Sequence, residues 1–597
     1  MVYSAFGLFA LLLLFSPGNA SPIHNANPNP RADLCGLDAI RFEGTTADNV
    51  ESFLNIRFGQ DTSGANRFTP PKPFRYDRGV VVNATQAGAA CPQPQQPVPS
   101  MPLFDNITYM SEDCLTLRID RPAGTPASAK LPVMVWIYGG GDSFGQIYDS
   151  AYDPTRLVIG AAQKSFPVIY VAMNYRVGVF GFAASPALNA SESLNVGLLD
   201  QRLALEWVRD HIEVFGGDPD KVTIFGESDG ATGVGLQIMA YGGSEKAPFK
   251  RAIMQSGSPM ADPGIASNKS AEHTAELTKI VNCTASTSEA ELQCLRSIPM
   301  ETLNSVAVAY QTQVGGDDGM DVFIPISPSS FIPDSPSRLL STGRFTHNID
   351  ILAGWNENDG SFSTPTELTS DRDVALLLKY EYPAFSTKDI ERALALYPIS
   401  SFSLAAATLP AVNRNITAQY FRASQMKRDA EFSCPSLYLS QMTDRYSSTN
   451  TSNYLFALNQ TLFRSIYAAV NASYLGVSHF SDIPYVFNQA QSQGYAPYAS
   501  AEDRLLSSEV SGSWAAFAAV GRPSHGVGTV AGWEEVVGYG SGNGNGNGTD
   551  RGDYKMQVLG GPGNGTRMIG KVPGGYEDLA ERCAFWTAEE VLAKLQV

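Results

Sequence analysis

Lys221-Val222-Thr223-Ile224-Phe225-Gly226-Glu227-Ser228-Asp229-Gly230 is the stretch on which the fold turns. Its first five residues, mostly apolar and β-branched, read as a buried strand, and Ala231–Ala240 beyond it can form a helix. A serine between glycines at a strand-to-helix junction predicts a sharp turn, because side chains at the glycine positions would clash. The turn lifts the serine hydroxyl above a sheet, beside a helix N-terminus whose dipole favours negative charge. The same Gly-x-Ser-x-Gly string occurs at Gly141-Asp142-Ser143-Phe144-Gly145. There it runs into Gln146-Ile147-Tyr148-Asp149, a poor helix start, so Ser143 reads as part of an ordinary turn. Ser228 is the candidate nucleophile.

Outward from this turn, Leu131–Gly139, Phe166–Arg176, Arg251–Gln255 and Ile349–Gly354 are further apolar runs bounded by glycine or proline. A helical pattern runs from Gly197 to Phe215, with Leu199, Leu203, Trp207, Val208 and Ile212 on one broad face. Strands alternating with such helices predict an α/β fold with a mostly parallel sheet covered on both sides. Gly538–Thr549, rich in Gly and Asn, reads as a surface loop rather than a linker, since strand-like Tyr554–Leu559 and a final helix follow. One domain over residues 21–597 is expected. Tyr138-Gly139-Gly140-Gly141 closes a strand with successive glycines, which let backbone N–H groups approach a ligand oxygen.

Of 597 residues, 43% are hydrophobic and 17% charged, too apolar for disorder. A formal charge of −17 argues against nucleic acid, which demands clustered Lys and Arg. An apolar run from Ala5 to Phe15, followed by Gly18-Asn19-Ala20, reads as an export signal over residues 1–20, too short to span a bilayer. No later stretch is apolar enough to do so. Sequons at Asn83, Asn106, Asn189, Asn268, Asn282, Asn415, Asn450, Asn459, Asn471, Asn547 and Asn564 suit an exported glycoprotein. Cys35, Cys91, Cys114, Cys283, Cys294, Cys434 and Cys583 are odd in number, so at least one thiol is left free or pairs with another chain. No His/Glu zinc pattern is present, and neither a metal nor an organic cofactor is expected.

The chain resembles the type-B carboxylesterases, the group that includes cholinesterases and fungal lipases. The likeness rests on Asn66-Arg67-Phe68, Ser111-Glu112-Asp113-Cys114-Leu115, Asn195-x-Gly197-Leu198-x-Asp200-Gln201 and Phe215-Gly216-Gly217-Asp218-Pro219. It continues through the Ser228 turn, Gln255-Ser256-Gly257-Ser258, Asn358-Asp359-Gly360-Ser361-Phe362, Gly476-Val477-Ser478-His479 and Cys583-Ala584-Phe585-Trp586. The resemblance implies an α/β-hydrolase fold and a triad of Ser228, Asp359 and His479. It also implies an oxyanion hole from the N–H groups of Gly140, Gly141 and Asp229, with Glu227 and Ser256 in support. Disulfides Cys91–Cys114, Cys283–Cys294 and Cys434–Cys583 and a structural Arg67–Glu112 ion pair follow from the same likeness, leaving Cys35 unpaired.

Two positions depart from the family. Asp359 stands where Glu is usual, and Asp229 where Ala is most frequent. An Asp229 carboxylate aimed inward would repel a developing oxyanion. Phe104 takes the place of the choline-binding Trp of cholinesterases, and cation–π attraction is strongest on Trp. The expected substrate is therefore a small-molecule ester with a short or medium acyl chain. A triacylglycerol lipase is the alternative within the class, and a non-catalytic adhesion protein the alternative outside it. Arg551-Gly552-Asp553, in a glycine-rich loop, carries no weight for adhesion. Oligomeric state is not legible.

Overall fold

The computed structural model describes residues 30–34, 40–96, 104–316, 319–446, 451–536, 554–569 and 578–597. The export signal, Cys35, Asn450, Asn547, Gly538–Thr549 and Arg551-Gly552-Asp553 lie outside them. Eleven strands form one sheet: β1 (Thr45–Ala47), β2 (Val50–Arg57), β3 (Thr116–Pro122), β4 (Leu131–Ile137), β5 (Ile169–Met173), β6 (Gly217–Glu227), β7 (Arg251–Gln255), β8 (Asp350–Asn356), β9 (Asn453–Leu458), β10 (Lys555–Leu559) and β11 (Gly565–Met568). Their order is β11-β10-β9-β8-β7-β6-β4-β5-β3-β2-β1. From β10 to β5 neighbouring strands pair in parallel, while β11 at one edge and β3, β2 and β1 at the other pair antiparallel.

The central strands are apolar on both faces because both are covered. Every residue of β5 and β8 is buried, as continuous rather than alternating apolar runs require. Helices α1 (Val196–His211), α2 (Asp229–Met239) and α3 (Ala501–Val520) are among those packed around the sheet, and the buried apolar side chains form one cluster from Ala32 to Val597.

Boundaries shift where a side chain does a different job. The run Phe166–Arg176 contributes only Ile169–Met173 to the sheet. Pro167 cannot donate a ladder hydrogen bond. Beyond Met173, Asn174 turns its amide to Ile147 N and Ala89 O, and Arg176 clamps Asp200 of α1 with two 2.7 Å contacts. The helix expected to reach Phe215 is α-helical to His211 and ends in a 3-10 turn over Ile212–Phe215. Gly216 (φ 88°) closes it in the left-handed region that favours glycine.

Disulfides join Cys91 to Cys114, Cys283 to Cys294 and Cys434 to Cys583. Arg67 and Glu112 form a buried bidentate pair at 2.7 and 2.6 Å, and Arg67 Nη1 also donates to the carbonyls of Leu295 and Ile298. Three chain segments thus meet on one guanidinium. Removing a single partner from such a pair strands a buried charge, so Glu112→Ala should cost about 3–5 kcal/mol. A thermal unfolding scan beside wild type checks this; an unchanged midpoint would show the pair to be dispensable.

Candidate active site

The strand ends set the site. β4, β6, β7 and β8 are neighbours, and Ile137 pairs with Gly226, and Gln255 with both Glu227 and Gly354. Loops leaving their carboxyl ends therefore converge on one crevice. Ser228 follows β6 directly and caps α2 with φ 58° and ψ −130°. This strained backbone is held by its N–H, which donates to Gln255 O at 2.9 Å. A Cβ at Gly230 would lie 2.1 Å from Ile137 O, and one at Gly226 would lie 2.5 Å from Gly230 O. The two glycines are thus demanded by contact with β4.

Ser228, His479 and Asp359 come together in a line although 251 and 120 residues separate the pairs. Ser228 Oγ lies 2.8 Å from His479 Nε2, and His479 Nδ1 lies 2.9 Å from Asp359 Oδ1. A carboxylate accepts only, so in the neutral imidazole Nδ1 carries hydrogen and Nε2 is left to accept from the hydroxyl. Asp359 Oδ2 accepts from Ser256 Oγ at 2.9 Å and from Asn356 N at 2.7 Å, so both carboxylate oxygens are held. The shorter Asp reaches the imidazole directly. Phe432 and Phe480 pack on the imidazole at 5.1 and 4.5 Å.

Carboxylates crowd this line. Glu227 is fully buried with Oε1 3.4 Å from His479 Nε2, and neither of its oxygens accepts a hydrogen bond among the described residues. Burial pushes the Glu227 carboxyl well above its usual range. Asp482, which the sequence reading passed over, accepts from Gln255 and Asn356. Nothing but its place three residues after His479 could have drawn notice to it. Burial favours neutral His479, but Glu227, Asp359 and Asp482 outweigh burial and lift the imidazole to about 9.

The glycine turn after β4 lies beside Ser228, with Gly140 and Gly141 at φ 114° and 60°. A Cβ at Gly141 would lie 2.3 Å from Met320 Cβ. The Gly141 N–H is engaged: it donates to Asp229 Oδ2 at 2.5 Å, and the same oxygen lies 3.2 Å from Ser228 Oγ. Burial, then the charge of Asp321, raises the Asp229 carboxyl to about 6, against the pull of that N–H. Ser143 is 1% exposed, and its hydroxyl accepts from Gln311 with its one hydrogen within reach of Gly141 O and Gly319 O at 2.9 and 3.1 Å. It braces the turn.

Of the remaining sequence candidates, Phe104 reaches this line of residues, through Phe480. Asn83, Asn106, Asn189, Asn268, Asn282, Asn415, Asn471 and Asn564 are exposed, whereas Asn459 is buried and donates its amide to Pro562 O at 2.8 Å. A glycan on Asn459 would have to displace that contact. Phe104 stacks edge-on against Phe480, next to His479. His273 meets Tyr310, His347 the Gly343 carbonyl, His211 the Trp207 ring and His525 the Phe166 ring.

A mostly parallel sheet bearing a serine on such a turn defines the α/β-hydrolase class. Residues 38–546 match the carboxylesterase family, and the chain belongs to it. Among its relatives, inactive carboxylesterase-like protein VdtD of Byssochlamys spectabilis is 40% identical over 91% of both chains. A secreted lipase of Arthroderma benhamiae is 36% identical over 93% of this chain and 94% of its own. Lipase 1 of Geotrichum candidum is 34% identical over 68% of this chain and 76% of its own.

Such a line of groups can pass a proton from Ser228 Oγ to His479 as the oxygen attacks an electrophile. Protonated His479 cannot accept it. With the imidazole at about 9, the fraction able to accept that proton falls as pH drops below that value and rises towards it. The pH profile of kcat/KM on a p-nitrophenyl ester should therefore climb through neutrality to a midpoint near 9. A plateau already reached at about pH 7, where an unperturbed histidine is mostly neutral, would contradict this.

Proposed function

We propose that this chain is an exported carboxylic ester hydrolase that works through a Ser228 acyl-enzyme, with His479 as general base and acid and Asp359 orienting its ring. The observation that carries the reading is the continuous hydrogen-bonded line Ser228–His479–Asp359 at 2.8 and 2.9 Å. Ser228 Oγ attacks the ester carbonyl while His479 Nε2 takes its proton. The imidazolium returns that proton to the departing alcohol, and water then cleaves the acyl-enzyme with the same roles reversed. The tetrahedral oxyanion is received by the N–H groups of Gly140, Gly141 and Asp229. Export is supported by the relative named a secreted lipase.

Short- and medium-chain esters are the proposed substrates, in view of Phe104, which packs on Phe480 beside His479 where cholinesterases carry a Trp. Triacylglycerol hydrolysis is a second reading, favoured by the lipases among the relatives. A non-catalytic role is a third, favoured by the VdtD likeness and by the Asp229 carboxylate occupying one oxyanion donor.

Hydrolysis of p-nitrophenyl esters from acetate to palmitate tests these together. Ser228→Ala should abolish turnover, and a rate maximum at short chains should separate esterase from lipase. Absence of turnover by folded wild type on every ester would overturn the hydrolase reading.

The departure at Asp229 makes a sharper claim. Freeing one oxyanion donor is worth roughly 10²–10³ in kcat. Asp229→Ala, which frees Gly141 N–H, should raise kcat by up to about that factor. Rates no higher than wild type would show that the carboxylate does not restrain the site.

A further inference from the structure

Asp229 has company at the glycine turn. One carboxylate oxygen from each of Asp142, Asp229 and Asp262 lies within 4.8 Å of the other two. They come from three places in the chain: Asp142 from the turn after β4, Asp229 from the first position of α2, and Asp262 from the loop after β7. Asp142 is 4% exposed, and its Oδ2 and that of Asp262 are enclosed without a hydrogen-bond partner among the described residues. An enclosed carboxylate oxygen that receives no donor is costly, and three converging carboxylates compound the cost by repulsion. Asp321 and Glu431 add negative charge nearby, partly offset by Lys269 and His479.

We propose that Asp142, Asp229 and Asp262 bind one hard divalent cation of the calcium class, and that the ion controls access to the oxyanion hole. A donor set made wholly of carboxylate oxygens suits calcium rather than zinc or copper, which favour nitrogen and sulfur. Metal–oxygen bonds of about 2.3–2.6 Å fit oxygens spread over this distance. The reaction itself needs no metal, so the ion modulates the site rather than carrying out the chemistry. An ion ligated by Asp229 competes with the Gly141 N–H for the same carboxylate. Drawing the carboxylate towards the ion frees that N–H for a substrate oxygen and takes negative charge off Ser228 Oγ. The gating of turnover rests on the hydrolase reading above; the binding does not.

Calcium chloride titrated calorimetrically into the EDTA-treated full chain should reveal one site with a Kd of about 10⁻³ M or tighter. Asp142→Asn and Asp262→Asn, each close in shape to the residue replaced, should weaken it at least about tenfold. Crystals of wild type soaked in manganese chloride locate the ion without a variant, through an anomalous peak between the three carboxylates. No binding by wild type at about 10 mM calcium, binding unaltered in both folded variants, or a peak only elsewhere overturns the site. Binding of an organic ammonium in place of the metal would also overturn it. In parallel, p-nitrophenyl butyrate turnover should be about tenfold faster with calcium than with EDTA. Binding with unchanged turnover removes the gate and leaves the site. Binding with no turnover in any condition leaves the site and overturns the hydrolase reading.

Discussion

The close approach of the Gly226–Gly230 turn to the end of β4 is the constraint from which the rest of the site follows. Neither glycine leaves room for a single added carbon against the backbone there. That proximity forces the chain through a left-handed Ser228, aims its hydroxyl out of the sheet, and starts α2 at Asp229. It also brings the glycine turn after β4 within reach of the helix N-terminus, so Ser228 and the backbone N–H groups of that turn are placed by one packing event. The strain at Ser228 is borne by the most deeply buried part of the sheet, where rearrangement would open voids that close-packed interiors do not tolerate.

Charge crowding is the second theme. Glu227, Asp359 and Asp482 surround His479, and Asp142, Asp229 and Asp262 gather at the glycine turn. The first group raises the proton affinity of the imidazole, which strengthens the base while lowering the fraction that is free to act. The second group sets Asp229 Oδ2 against both the Gly141 N–H and Ser228 Oγ.

Much of this was legible in the sequence. The strands were readable because fully buried parallel strands are continuous apolar runs, and Arg251–Gln255 has the bounds expected of it. Short edge strands such as Thr45–Ala47 and Gly565–Met568 were not, since they carry little apolar signal and depend on their neighbours. Asn453–Leu458 was missed although all of it is buried. At the site, Ser228 announces itself through local backbone demands, whereas His479 and Asp359 were found only through a family likeness, because the contacts joining them are distant in sequence. The inward turn of the Asp229 side chain was open in the sequence, where only the identity of the residue could be read. Asp482 and Phe432 act through space alone and left no pattern.

Cys434 immediately follows the segment Arg428–Ser433, a π-helical turn that sets Phe432 against His479 and Arg428 on the Glu357 carbonyl. Its disulfide partner, Cys583, lies 149 residues further on, and Arg582 beside it pairs with Asp429 of the same turn. One wall of the crevice is therefore fastened by residues that leave the ribosome long after Ser228, His479 and Asp359 have emerged. Closing the Cys434–Cys583 bond that fastens this wall consumes an oxidant, so the two thiols join only where the surroundings allow it.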